Sequence, residues 1–159
     1  GKLPNGEICW DLPPSVYAAD PALRDPEAWM HAALYQNTNV AAIHAETVAG
    51  LTALLAQYGY TRAGAVYKTD AATRRDAVVV LFCHFAITMD CLSSLLNVAA
   101  PCLWQQTFMP PASVTVLGTE EHEDGYAQWR MQSMGDVRHL AAAGIPDSSR
   151  GAFYASFEG

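Results

Sequence analysis

Residues 76–82 read Asp-Ala-Val-Val-Val-Leu-Phe, and this run constrains the fold more than any other stretch of the chain. Three consecutive valines lose side-chain freedom in a helix and fit a pleated strand. No polar residue alternates with them, which is how a strand looks when both of its faces are covered, as in a parallel sheet. Immediately downstream, Ile87, Cys91, Leu92, Leu95 and Leu96 recur at helical spacing, up to Asn97. The pattern predicts an α/β fold in which a buried strand hands over to a helix at Cys83-His84-Phe85.

The rest of the chain supplies partners for that unit. Val40, Ile43, Thr47, Leu51, Leu54, Leu55 and Tyr58 predict a helix over 39–58, with Asn37, Thr38 or Asn39 to cap it and Gly59 to end it. Residues 113–120 predict a strand, Asp124-Gly125 a turn, and 126–133 an antiparallel return. A short helix is expected near Val137–Ala143, then a tail in which Phe153, Tyr154 and Phe157 are candidate docking points. Residues 1–36 differ in character. Pro13-Pro14, Pro21 and Pro26 forbid a long element, so an irregular Pro/Trp-rich wrap with short helices is expected there, anchored by Trp10, Tyr17, Trp29 and Tyr35. The 159 residues suit a single domain, with 37–159 as its α/β core.

Composition narrows the function classes. Half of the residues are hydrophobic, enough for a packed core, and the net charge of −7 leaves no electrostatic footprint for nucleic acid. No basic block suggests a membrane surface, and no apolar run reaches the ~18 residues that a bilayer span needs. Gly1-Lys2-Leu3-Pro4 lacks the apolar run of a secretory leader, and the expected compartment is the cytoplasm. Cys9, Cys83, Cys91 and Cys102 form no Cys-x-x-Cys pair and read as buried reduced thiols.

The best candidate for chemistry is His84. In open α/β sheets ligands gather beyond the carboxyl ends of strands. His84 sits there, and it also opens the next helix, where free N–H groups and the helix dipole favour an anion. An imidazole in that position can donate to a phosphoryl oxygen. A satisfied structural histidine is the plain alternative. Other groups read as structural: Glu120-Glu121-His122-Glu123-Asp124 as a solvated acidic turn rather than a metal site, His44 and Glu46 as surface or interface residues, His139 as a cap or packing residue, and Ser93-Ser94 as ordinary helix positions. No Gly-rich phosphate loop, zinc spacing or dinucleotide fingerprint occurs.

Val79-Val80-Leu81-Phe82-Cys83-His84-Phe85-Ala86 resembles the strand and second histidine of the histidine phosphatase (phosphoglycerate mutase-like) superfamily. Pro110-Pro111-Ala112-Ser113-Val114-Thr115 resembles the family's lead into the following strand. Trp129-Arg130 and Gly135-Asp136-Val137-Arg138-His139-Leu140 resemble its late strand and Gly-Asp-x-x-His-Leu stretch. Ile8-Cys9-Trp10-Asp11-Leu12 is similar to an insert of one bacterial branch. The ordered set covers most of the chain and is far more specific than any one motif.

The resemblance implies a three-layer sandwich with a mostly parallel sheet, incomplete at the N-terminus. It also implies an enzyme of phosphate monoesters that works through a phosphohistidine intermediate and needs neither metal nor cofactor. His84 would take the second-histidine role, with the backbone of Phe85 and Ala86 close to phosphate. Ala86 stands where many relatives have Gly, and remains small enough for that approach. The family's nucleophile lies in an Arg-His-Gly motif, and this sequence has none; its one Arg-His pair, Arg138-His139, is followed by Leu. The arginine clamp and the acid would also fall upstream. Two explanations stand: a fragment of a phosphatase, which is favoured, or a natural shortened relative acting as a non-catalytic binding or scaffold module. A phosphorylated small molecule is the expected ligand of the intact protein. Self-association or a missing N-terminal segment is expected to cover the gap, with no nucleic-acid or membrane partner.

Overall fold

The computed structural model describes residues 2–3, 5–6, 8–72 and 76–148. Helix α1 (Pro14–Ala19) starts on a proline, whose fixed φ suits a first helical turn. Three single 3-10 turns follow, Pro21–Arg24, Trp29–His31 and Ala33–Tyr35. A side-chain cap opens the first of them, and a second aspartate ties the chain ahead of the next. Asp20 accepts from the Ala22 N–H at 2.9 Å, and Asp25 accepts from Glu27 and Ala28. This stretch buries Leu23, Trp29 and Tyr35.

Helix α2 (Val40–Ala56) agrees with the apolar periodicity. The Val40 N–H donates to the Thr38 hydroxyl at 3.3 Å, and Gly59 adopts φ +85°, the left-handed conformation that lets the chain turn back. It turns into a hairpin that the sequence did not announce, β1 (Tyr60–Ala63) and β2 (Val66–Thr69). Helix α3 (Phe85–Leu96) ends on Asn97 at φ +56°, and α4 (Ala100–Gln106) carries Pro101 in its first turn. Strands β3 (Val114–Glu123) and β4 (Tyr126–Asp136) form the expected hairpin, with Gly125 at φ +79° in its turn and a longer return strand than 126–133. Helix α5 (Arg138–Ala142) follows. Phe153, Tyr154 and Phe157 lie outside the described residues.

The four strands make one sheet in the order β1-β2-β4-β3, with every pair antiparallel. The molecule is mixed α/β, and the sheet of the described residues is not the mostly parallel one expected. The difference originates at 76–84, which has no regular structure and whose apolar side chains face solvent: Val78 is 91% and Phe82 96% exposed. A strand exists only through the neighbours that bond its N–H and C=O groups. Among the described residues no strand lies alongside this run. Its extended preference therefore has nothing to pair with.

Two clusters form the core. One gathers Trp29, Tyr35, Met89, Leu92, Ala100 and Trp104. Trp29 meets Tyr35 and Trp104 edge-on, with ring centroids 5.8 and 5.3 Å apart, the arrangement that aromatic quadrupoles favour. The other joins Leu51 and Leu55 of α2 and Leu95 of α3 to Tyr67 of the sheet. Arg62 ties β1 to the end of α3. Its Nη1 donates to the Ser94 carbonyl at 2.6 Å and to Ser94 Oγ at 2.8 Å, and its Nη2 to Asn97 Oδ1 at 2.8 Å. A cation there meets both the unpaired carbonyls and the negative end of the helix dipole.

Candidate functional site

His84 is the residue before the first turn of α3, with extended backbone (φ −88°, ψ 162°). Its carbonyl accepts the Thr88 N–H at 2.9 Å and the Thr88 hydroxyl at 3.1 Å, which closes the first helical turn. Its imidazole makes no hydrogen bond within the described residues and is exposed. The residue therefore precedes the turn whose N–H groups have no partner within the helix. The expected setting at the end of a buried strand does not hold. The setting at a helix N-terminus does.

His84, Phe85 and Ala86 line one cavity of about 560 Å3. Val40 and Ile43 of α2 form one wall, and Ile87 and Asp90 of α3 continue the other. Cys9, Trp10 and Trp104 complete it, so the N-terminal wrap, α2, α3 and α4 all contribute. Cys9 is buried, and that burial pushes its thiol pKa up. The three residues singled out in the sequence for phosphate thus meet at one concave surface.

Below them lies a pair that the sequence reading missed. His44 Nδ1 is 3.0 Å from Asp90 Oδ1, and both side chains are buried. The Trp29 ring meets His44 edge-on at 4.8 Å. His44 is therefore not a surface residue. Its partner is 46 positions away, and only the packing of α2 on α3 brings them together. The available signal was weak: an aspartate inside the apolar run of a helix, which needs a partner if it is buried.

Other candidates fall elsewhere. Glu120 is taken up by Arg130 at 2.7 Å and His122 at 2.8 Å on the outer end of the β3–β4 hairpin. Ser93 and Ser94 are buried in α3, and Ser94 accepts from Arg62. His139 is exposed in α5 and borders a second cavity of about 480 Å3 with Val114, Val116, Asp136 and Arg138; it neither caps the helix nor packs in the core. The Arg138 guanidinium there is committed to Asp136, which holds that carboxyl down at about 2. The first cavity is the better site because the exposed His84 ring that lines it has no hydrogen-bond partner among the described residues.

No helix among the described residues is long and apolar enough to cross a membrane. Comparison with family models, with curated proteins and with solved structures finds no match to this chain.

Proposed function

We propose that this chain is the C-terminal part of a histidine phosphatase or phosphoglycerate mutase-like enzyme, in which His84 holds the phosphoryl group of a phosphate monoester. The observation that carries the proposal is the exposed, unpaired His84 ring at the start of α3, on a cavity that Phe85 and Ala86 of the first helical turn also line. Donors placed in advance where phosphoryl charge develops lower the barrier without reorganising. In this reading the attack on phosphorus comes from the histidine of an Arg-His-Gly segment that the sequence does not contain. The chain by itself turns over little or nothing.

The segment at 78–82 supports the same reading. It is apolar, β-prone and exposed, as a central strand is when its neighbours are elsewhere. In the proposed three-layer sandwich with a mostly parallel sheet, this run is an inner strand and the Arg-His-Gly strand lies beside it. Self-association or a further polypeptide segment covers it, and the ligand of the assembled site is a phosphorylated small molecule.

In a polypeptide that unites this chain with an Arg-His-Gly segment, His84→Ala should lower turnover of 4-nitrophenyl phosphate by about 100-fold, the scale of losing a transition-state donor. An unchanged rate removes His84 from the mechanism. A second reading, a non-catalytic binding module on the same fold, is favoured by the absence of Arg-His-Gly. It predicts no turnover in any assembled form.

A further inference from the structure

The run at 78–82 keeps a strand's pattern without a ladder. Exposure alternates along it: Val78, Val80 and Phe82 are 91, 67 and 96% exposed, whereas Val79 and Leu81 are 38 and 50%. Side chains of an extended chain alternate between two faces, so one face of the run is half-covered by the molecule and the other is open. Strand β3 has a matching character. It lies at one edge of the sheet, and no strand among the described residues bonds its outer side. Val114 and Val116 are exposed on one of its faces, while Leu117, on the other, packs with the core.

Three β-like elements among the described residues thus have an unpaired side: the run, the outer edge of β3 and the outer edge of β1. Their chemistry decides which combine. Strand β1 is four residues long, and its Arg62 is already bound to α3. Two β3 edges paired antiparallel would set Glu121 and Glu123 against Val116 and Val114, and paired in parallel would set acid against acid; both are unfavourable. Two runs paired with each other make an isolated two-stranded ribbon, which is marginal in water. The run against β3 meets none of these objections. Val78–Phe82 carries no charge, it matches the five positions Val114–Gly118, and in either direction its open face meets the two exposed valines. Two runs placed reciprocally on two edges would remove on the order of 1,500 Å2 of largely apolar surface from water, within the roughly 1,200–2,000 Å2 of a specific interface.

We infer that the partner of this surface is a second copy of the chain: residues 78–82 of each copy add as a further strand to the β3 edge of the other, over Val114–Gly118. The exchange gives the outward N–H and C=O groups of both strands their partners. Each copy gives one strand and receives one, so the assembly closes as a two-fold dimer rather than growing into a filament. The inference rests on the self-association proposed for this run, names its partner and its site, and asks nothing of His84.

The test is size exclusion coupled to light scattering on the full chain, which should show twice the monomer mass. Val114→Lys with Val116→Lys keeps the run, places charge on the edge and should be monomeric. Val80→Lys with Phe82→Lys keeps the edge and should be monomeric too. A mixture of the two variants retains one run and one edge, and should form a two-chain species that neither forms alone. A monomeric unaltered chain overturns the inference and leaves a different polypeptide as the cover. An edge variant that stays dimeric, or a mixture that stays monomeric, overturns it as well, because pairing then does not run from strand to edge. Should the edge variant fail to fold, hydrogen exchange on the unaltered chain replaces it. Amides within 78–82 and 114–118 should gain protection as concentration rises, and protection there that ignores concentration overturns the inference. Inorganic phosphate titrated into the edge variant still reads His84, so loss of the dimer and loss of the phosphate site are told apart.

Discussion

Cys83 sits on the exposed segment ahead of α3, and its Sγ lies 3.1 Å from Thr88 Oγ1. Eight residues on, Cys91 faces the packed side of α3, where burial first, then the nearby Cys83 and Asp90, push its thiol up to about 11. Only a thiolate attacks a disulfide reagent, and at pH 8 a thiol of that acidity is ionised on the order of one part in a thousand. Treatment with 5,5′-dithiobis(2-nitrobenzoic acid) at pH 8 should therefore modify Cys83 first and leave Cys91 and Cys9 slow, as read by peptide mass spectrometry. Modification of Cys91 as fast as Cys83 would contradict the burial described. The expectation of buried thiols holds at Cys9, is met only by half at Cys91 and Cys102, and fails at Cys83, which lies on an apolar run that faces solvent. His44 was misjudged for a different reason. Spacing along one helix reports which residues share a face, but not which partner 46 positions away waits opposite.

At the scale of elements, legibility followed the length of the pattern. Helix α2 and the β3–β4 hairpin were readable because seventeen and twenty-one residues repeat their period, and Asp124-Gly125 marks the turn between the strands. The β1–β2 hairpin has four-residue strands with no β-branched run, too little for propensity to register. The run at 76–82 was the reverse case: strong local preference, no partner to complete it. The His84 site was legible in its helix-terminal half and illegible in its Asp90 floor, because the floor is made by tertiary packing. Arg62 is the link between hairpin and helix that periodicity could not show. Arg62→Ala leaves the Ser94 carbonyl and Asn97 without their donor. The expected cost is about 2 kcal/mol, within the range for hydrogen bonds to a charged group, read as a shifted urea midpoint at unchanged slope. A loss under about 0.5 kcal/mol would place Arg62 among ordinary surface contacts.

At the scale of the molecule, the main apolar liability among the described residues is one stretch, Val78 to Phe82, exposed beside the start of α3. An unpaired strand-forming edge is a template for another chain. Light scattering coupled to size exclusion should give a mass above the monomer for the unaltered chain and a monomer for the Val80→Lys, Phe82→Lys double variant; a clean monomer for both removes self-association from the account. Next to that stretch stands His84, and a phosphate site there is read by titrating inorganic phosphate into chain carrying 15N-labelled imidazole. The expected outcome is a saturable shift of the His84 ring together with the Phe85, Ala86 and Ile87 amides, lost in His84→Ala. Amide shifts of the same size in His84→Ala, or no response of the ring at any phosphate concentration, would contradict it.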